Sequence, residues 1–186
     1  MKFESFENKD VDIGFAIKYR ILFDCDFDMV FDLVKSCYTK DFYEITDSSK
    51  SIYKKAINSG YSIGAFYDNK LVGIMLGMYA SDNHFSSLVG DIPEEFNNLD
   101  MNNCFELMSS CVHKDYRGYH MEQQMIKHIL DNIHASFFWC TAHKDNISSN
   151  KSILANGFKL VKKDCTFQYS HKTIYHRNLY YLVQQN

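Results

Sequence analysis

Residues 111–122 read Cys111-Val112-His113-Lys114-Asp115-Tyr116-Arg117-Gly118-Tyr119-His120-Met121-Glu122. An apolar run breaks into a short basic turn around one glycine and reopens as a helix. Such a turn presents the first amides of the helix unpaired at the positive end of its dipole. Together those amides form an anion cradle suited to phosphate. Arg117 adds a fixed charge whose fork of donors matches a pyrophosphate. A plain strand-to-helix connection has the same local pattern, so the segment alone leaves both readings open.

Metal and thiol chemistry find less support. The six cysteines are scattered, with no C-x-x-C pair, and Cys37, Cys104, Cys111 and Cys140 sit in or beside apolar segments as small core residues. Free thiols are expected, Cys111 and Cys140 are read as packing residues, and nothing points to a lowered thiol pKa. No metal is expected either: His128 and His134, six apart on one helical stretch, face different ways. The aromatic residues, 16% of the chain, are spread through it without alternating with basic ones, which argues against nucleic acid as a partner.

These groups need a scaffold. A length of 186 residues predicts a single domain over 1–186, and 46% hydrophobic with 23% charged residues is a globular composition. The longest apolar runs, Phe137–Cys140 and Leu71–Leu76, are far short of the ~20 residues that span a bilayer, so no membrane partner is expected. The first seven residues are acidic and lack a secretory pattern, which gives a soluble, cytoplasmic expectation. The net charge of −3 is uneven: residues 1–103 hold 10 Lys and Arg against 17 Asp and Glu (net −7), and residues 104–186 hold 10 against 6 (net +4). A polyanionic ligand on one side and a cationic one on the other would account for this, as would ordinary solvated surface.

Ile17–Phe23 reads as a strand, after which Asp24 and Asp26 can cap a helix through Cys37 with Phe27, Val30, Phe31 and Val34 at helical spacing. A second helix runs from Asp47 to near Gly60. Tyr61–Tyr67 and Lys70–Ala80 then form a hairpin across Asp68-Asn69. Residues 81–103 hold the one proline and five acidic residues with no Lys or Arg, the mark of a functional or disordered loop. Cys104–Val112 reads as a strand, Met121–His134 as an amphipathic helix, and Ser136–Ala142 as a centrally placed parallel strand. A short helix over Ser148–Asn156, capped by Gly157, precedes strands near Phe158–Val161 and Asn178–Val183. This order predicts a mixed α/β sheet.

Residues 112–118 resemble the acetyl-coenzyme-A signature of the general N-acetyltransferase (GNAT) superfamily, Val-x-Pro-x-Tyr-Arg-Gly-x-Gly, with Val112, Tyr116, Arg117 and Gly118 in place. Asn146-Ile147-Ser148-Ser149 leading to Asn156-Gly157-Phe158 resembles a second motif of that family, and the hairpin ending Lys70-Leu71-Val72-Gly73 resembles its central pair of strands. The resemblance covers residues 61–160. It implies an α/β fold with a mixed, mostly antiparallel sheet, two splayed central parallel strands and flanking helices, carrying an acidic insertion at about 81–103 between the third and fourth strands of the family core. It implies acetyl-CoA as co-substrate, with Cys111 and Val112 at the pantetheine and Arg117, Gly118, Tyr119, His120, Met121 and Glu122 at the pyrophosphate. Asn146 and Ser149 would approach from the other strand. It also implies direct attack by an amine.

Three residues depart from the family pattern. Lys114 replaces a proline, His120 takes the second glycine position, and Glu122 places a carboxylate where a small residue is common. The family's usual tyrosine position, the acid for the leaving thiolate, is Ile153. An amine that is mostly ammonium at pH 7 needs a general base. Glu106 is the candidate because it shares strand parity with Val112, and a solvent-facing strand-end glutamate is the alternative. His113 and His143, which close the two central strands, are weaker candidates. The expected activity is N-acetylation of a primary amine, a cationic small molecule given the acidic first half. The alternative is a degenerate domain that binds an acyl-CoA or a partner without catalysis. A homodimer is left open.

Overall fold

The computed structural model describes residues 6–7, 16–38, 45, 47–79, 88–89, 93–96, 99–168 and 174–184. Along these run the strands β1 (Phe6–Glu7), β2 (Lys18–Ile21), β3 (Ile63–Tyr67), β4 (Lys70–Tyr79), β5 (Leu88–Val89), β6 (Cys104–Val112), β7 (Phe137–His143), β8 (Lys159–Gln168) and β9 (Ile174–Val183). The α-helices are α1 (Phe27–Cys37), α2 (Asp47–Asn58), α3 (Met121–Asn132) and α4 (Ile147–Ala155). The chain divides into two compact units, each made of two stretches: 1–78 with 108–133, and 79–107 with 134–186. Strand β6 contributes its first four residues to the second unit and the rest to the first.

In the first unit, β1 to β4 pair antiparallel in order, and the end of β6 lies beside β4, where the His113 amide donates to the Val72 carbonyl at 2.8 Å. The β3–β4 turn is the expected one: Asp68 and Asn69 take φ of 45° and 63°, the left-handed pair that matches hairpin twist. Helix α1 buries Val30, Phe31, Leu33 and Val34 in a core shared with Tyr53, Ile57, Ile74, Leu76 and Cys111. Each such apolar side chain contributes about 1.5–3 kcal/mol by leaving water. The start of α1 departs from the capping expected of Asp26. Its carboxylate instead accepts two bonds from Arg20, at 2.7 and 2.8 Å, and one from the Phe23 amide at 2.9 Å. The Arg20 guanidinium also lies 4.0 Å from the Phe66 ring centre, so one ion pair joins β2, β3 and the entry to α1.

In the second unit the strand order is β6-β7-β9-β8-β5. The parallel ladder joins Cys104–Leu107 to Phe137–Cys140, and all the other registers described are antiparallel. This is the mixed, mostly antiparallel α/β architecture expected. The core gathers Phe96, Phe137, Trp139, Phe167 and Leu179, with Phe96 edge-on to Phe137 at 5.1 Å. Strands β8 and β9 run well beyond the short segments read from the sequence. Past Val161, β8 is Lys-Lys-Asp with shifted register and Asp164 at φ 54°, an exposed bulged stretch whose apolar pattern is lost. The acidic stretch at 81–103 falls partly outside the described residues, including Asp82 and Asp91. The rest contains the short strand β5, which pairs with β8, and single turns of 3-10 helix at Glu94–Phe96 and Met101–Asn103.

Candidate active site

The loop between β6 and α3 belongs wholly to the first unit. His113 ends the strand and caps one turn of 3-10 helix (Lys114–Tyr116): its Nδ1 accepts the Asp115 amide at 3.4 Å. Arg117 then turns extended (φ −75°, ψ 160°), and its Nε donates back to the Val112 carbonyl at 3.0 Å. That bond closes the loop on itself while the side chain stays exposed. The Tyr116 ring packs on Tyr67 of the hairpin at 5.8 Å, fixing the loop to β3.

Two residues bend the chain into α3. Gly118 has φ 89°, and His120, which precedes the first helical residue, has φ 56° and ψ 20°. His120 stands at the pattern's second glycine position. The residue adopts the left-handed conformation a glycine would take, its side chain is exposed, and its carbonyl starts the helix by accepting the Gln124 amide at 3.0 Å. Histidine is among the non-glycine residues that tolerate this region best. The amides of Met121, Glu122 and Gln123 precede the first intrahelical donor, Gln124, the position at which helices in general can take anions. Around Gly118 nothing lies within 4 Å of where a Cβ would stand, so the backbone there is open. Gly118→Ala is therefore expected to cost about 1–2 kcal/mol through strain alone, lowering Tm by roughly 2–8 °C, readable by calorimetry.

The charges of this loop balance: Asp115 and Glu122 offset Lys114 and Arg117. Backbone amides, more than net charge, are what it offers an anion. Cys111 and Val112 differ in direction. The Cys111 thiol is buried in the core of the first unit, whereas a Val112 methyl lies 3.6 Å from the Cβ position of Gly73 on β4. Only the backbone of Cys111 is left for a ligand.

Glu106 lies on β6 opposite Trp139 of β7 and is 5% exposed, which removes the solvent-facing alternative. A carboxylate buried to this degree is rare outside paired or functional positions. In the second unit, the Asn146 Oδ1 caps α4 by accepting the Ser149 amide at 3.2 Å. Asn150, one turn on, donates to the His143 carbonyl at 3.0 Å and accepts from Asn178 and from the Tyr180 hydroxyl. Ile153 is buried and apolar, so no acid stands there. Tyr180, which burial holds above its usual pKa, reaches α4 from β9. Only the tertiary pairing of β9 reveals it.

His113 and His143 share a local device visible as a repeated His-Lys-Asp. Each ring accepts the amide of the Asp two residues on, the second at 3.2 Å, and burial lowers the His143 pKa. Both rings therefore shape turns. Among the described residues no three His, Cys, Asp or Glu side chains are grouped to hold a metal ion, and no helix is long and apolar enough to cross a membrane. Of the acidic stretch, Glu94 and Glu95 are exposed.

No family model matches the sequence, and no curated protein does. Solved structures do match. The polyamine N-acetyltransferase of Drosophila melanogaster, which forms N-acetylagmatine, superposes with a TM-score of 0.66 at 8% identity over 90% of this chain and 100% of its own. Diaminobutyrate acetyltransferase from Paenibacillus lautus, solved with its substrate and coenzyme A, gives 0.64 at 12% identity over 91% and 95%. A GNAT-family acetyltransferase from Listeria monocytogenes gives 0.63 at 16% identity over 95% and 100%. Identities this low leave the likeness to rest on the arrangement of strands and helices. The chain is built on the GNAT acetyltransferase fold.

Proposed function

We propose that this protein is an N-acetyltransferase that moves an acetyl group from acetyl-CoA to the primary amine of a cationic small molecule by direct attack. The observation that carries the reading is the β6–α3 loop. Left-handed Gly118 and His120 bring the first amides of α3 onto an open backbone beside an exposed Arg117, on a fold shared with acetyltransferases. Those amides and Arg117 would bind the pyrophosphate of the coenzyme, whose contribution is an activated thioester. The backbone at Cys111 and Val112 would hold the pantetheine. Glu106 would take the proton that the acceptor ammonium must lose before its nitrogen can attack.

Similar structures are described as acetylating polyamines, diaminobutyrate and arylalkylamines, all amines. Together with the net charge of −7 over residues 1–103, this supports a cationic acceptor. A specific observation favours a second reading, an acyl-CoA-binding domain without catalysis: Ile153 is apolar and buried where the family carries its acid.

One experiment separates the readings. Saturating acetyl-CoA at about 100 times its Kd stabilises a native-only binder by about 2.7 kcal/mol, a Tm rise of roughly 5–11 °C for a chain of this size. Arg117→Ala should weaken that binding about tenfold or more, the worth of a charge-assisted hydrogen bond. Chromatography of an amine panel should then show coenzyme A released only with cationic amines. A thermal shift without release establishes the non-catalytic reading, and no shift overturns both.

A further inference from the structure

In the first unit, β6 carries two adjacent serines in opposite settings. Ser109 faces the first two helices, where its hydroxyl lies 3.1 Å from that of Tyr38 and 3.4 Å from that of Tyr53. Tyr38 also donates to the Ser110 carbonyl at 2.7 Å. The Ser110 side chain alternates to the other face of the strand, the one it shares with Val112. There a Val112 methyl and the Met125 methyl of α3 lie 3.6 and 3.5 Å from the Cβ position of Gly73, so α3 covers this face. The Ser110 Oγ is enclosed and has no hydrogen-bond partner among the described residues. A buried hydroxyl left unpaired costs stability, and such atoms are rare enough in folded proteins to need a reason. We propose that Ser110 is a catalytic residue whose hydroxyl donates to the carbonyl oxygen of the acyl thioester.

The assignment rests on the acetyl-transfer reading, which orders the coenzyme along β6. The pyrophosphate would meet the first amides of α3, and the pantetheine the backbone at Cys111 and Val112. The acyl end then comes next along the strand, at Ser110. The residue as a whole is part-exposed, although its oxygen is enclosed. With no hydrogen bond to break, a turn about Cα–Cβ between staggered positions brings the hydroxyl to the exposed flank. A carbonyl oxygen is the acceptor that such a donor lacks.

That oxygen is where charge develops. Once the acceptor has lost its first proton to the base, its nitrogen bonds to the carbonyl carbon. The C=O electron pair moves onto the oxygen, where the Ser110 O–H meets it. As the pair returns, the C–S bond breaks and the sulfur leaves with its electrons, and a second proton from nitrogen ends on that thiolate. Ser110 itself gains and loses no atom. Its hydrogen bond strengthens as charge grows on the oxygen, so it lowers the barrier more than it tightens the ground state.

The test compares the full chain with Ser110→Ala by calorimetry, by titration with acetyl-CoA and with coenzyme A, and by coenzyme A release with spermidine and 1,3-diaminopropane as amines. Without ligand, the Tm of the variant should rise by roughly 2–4 °C, because an unpaired buried hydroxyl is gone. Its Kd for acetyl-CoA should rise about threefold to tenfold, the worth of one neutral hydrogen bond. Its Kd for coenzyme A, which has no acyl group, should stay within about twofold. These two readouts need no turnover. The kcat should fall about 100-fold, the cost of losing one donor to a developing oxyanion. A lower Tm would show a hydroxyl that is already paired and overturns the proposal. An equal change in the two dissociation constants, no change in either, or a rise confined to the KM of the amine does the same. In each of these cases, coenzyme binding and release by the unsubstituted protein keep the acetyl-transfer reading. An unsubstituted protein that binds neither coenzyme overturns both.

Discussion

Glu106→Gln is expected to lower kcat by about 100- to 1,000-fold, the usual worth of a positioned general base, and to leave the Kd for acetyl-CoA within about twofold. A primary ammonium of pKa near 10.4 leaves only about 0.04% of the acceptor neutral at pH 7, so without a proton acceptor the rate follows that fraction. The kcat of the variant should accordingly rise roughly tenfold per pH unit up to about pH 9, whereas the unsubstituted enzyme stays nearly flat. Glutamine keeps the shape and hydrogen-bonding length of the side chain at this buried position on β6. A loss of less than about threefold with an intact fold would move the base elsewhere. A parallel loss of coenzyme affinity would make Glu106 part of the binding surface instead.

Asp26→Ala should cost about 1–3 kcal/mol, the range for leaving buried hydrogen-bonding groups unsatisfied, because the Arg20 side chain is 35% exposed and keeps part of its hydration. In a chain of this size that is a Tm lower by roughly 2–12 °C. Asp26 is 2% exposed and accepts three hydrogen bonds, so its loss leaves the Arg20 guanidinium over Phe66 without its counter-ion and the Phe23 amide without an acceptor. The hydrogen bond from Arg20 and that from Phe23 hold the Asp26 carboxyl below its ordinary pKa, against its burial. A depressed carboxylate stabilises the fold above its unfolded pKa, about 3.9, and that contribution disappears as pH falls through the lower folded value. Acid titration should therefore show a stability loss below about pH 4 that is missing from Asp26→Ala. Replacing both partners, Arg20→Met with Asp26→Ala, should recover part of the loss, since the uncompensated charge is gone.

Local rules made much of this visible in the chain. Asp68-Asn69 announced a left-handed turn, Met121, Met125, Ile129 and Ile133 lay on one stripe that is buried, and the bounds of β6 were read as they stand. The loop proposed to cradle phosphate was legible because its residues are contiguous. The left-handed backbone of His120 was not legible, because a residue name shows side-chain bulk and not backbone angle. The parity of Glu106 was readable, but its burial depends on neighbours brought in by pairing. The setting of Cys37 was hidden for the same reason. It looked like an ordinary core residue, and only the packing of α1 on β6 sets its sulfur against the Val112 carbonyl across 75 positions of sequence.

Trp139 is the one indole in the chain, and it is buried in the second unit with Phe96 edge-on at 6.4 Å. Its ultraviolet emission is therefore an optical reporter for that unit alone. The thiols of Cys37 and Cys111 lie entirely in the other unit and form a chemical reporter there. Emission colour and alkylation rate, followed through one denaturant series, are two independent clocks on the two halves of this chain. Whether they run together measures the cooperativity between those halves without a label being added to either.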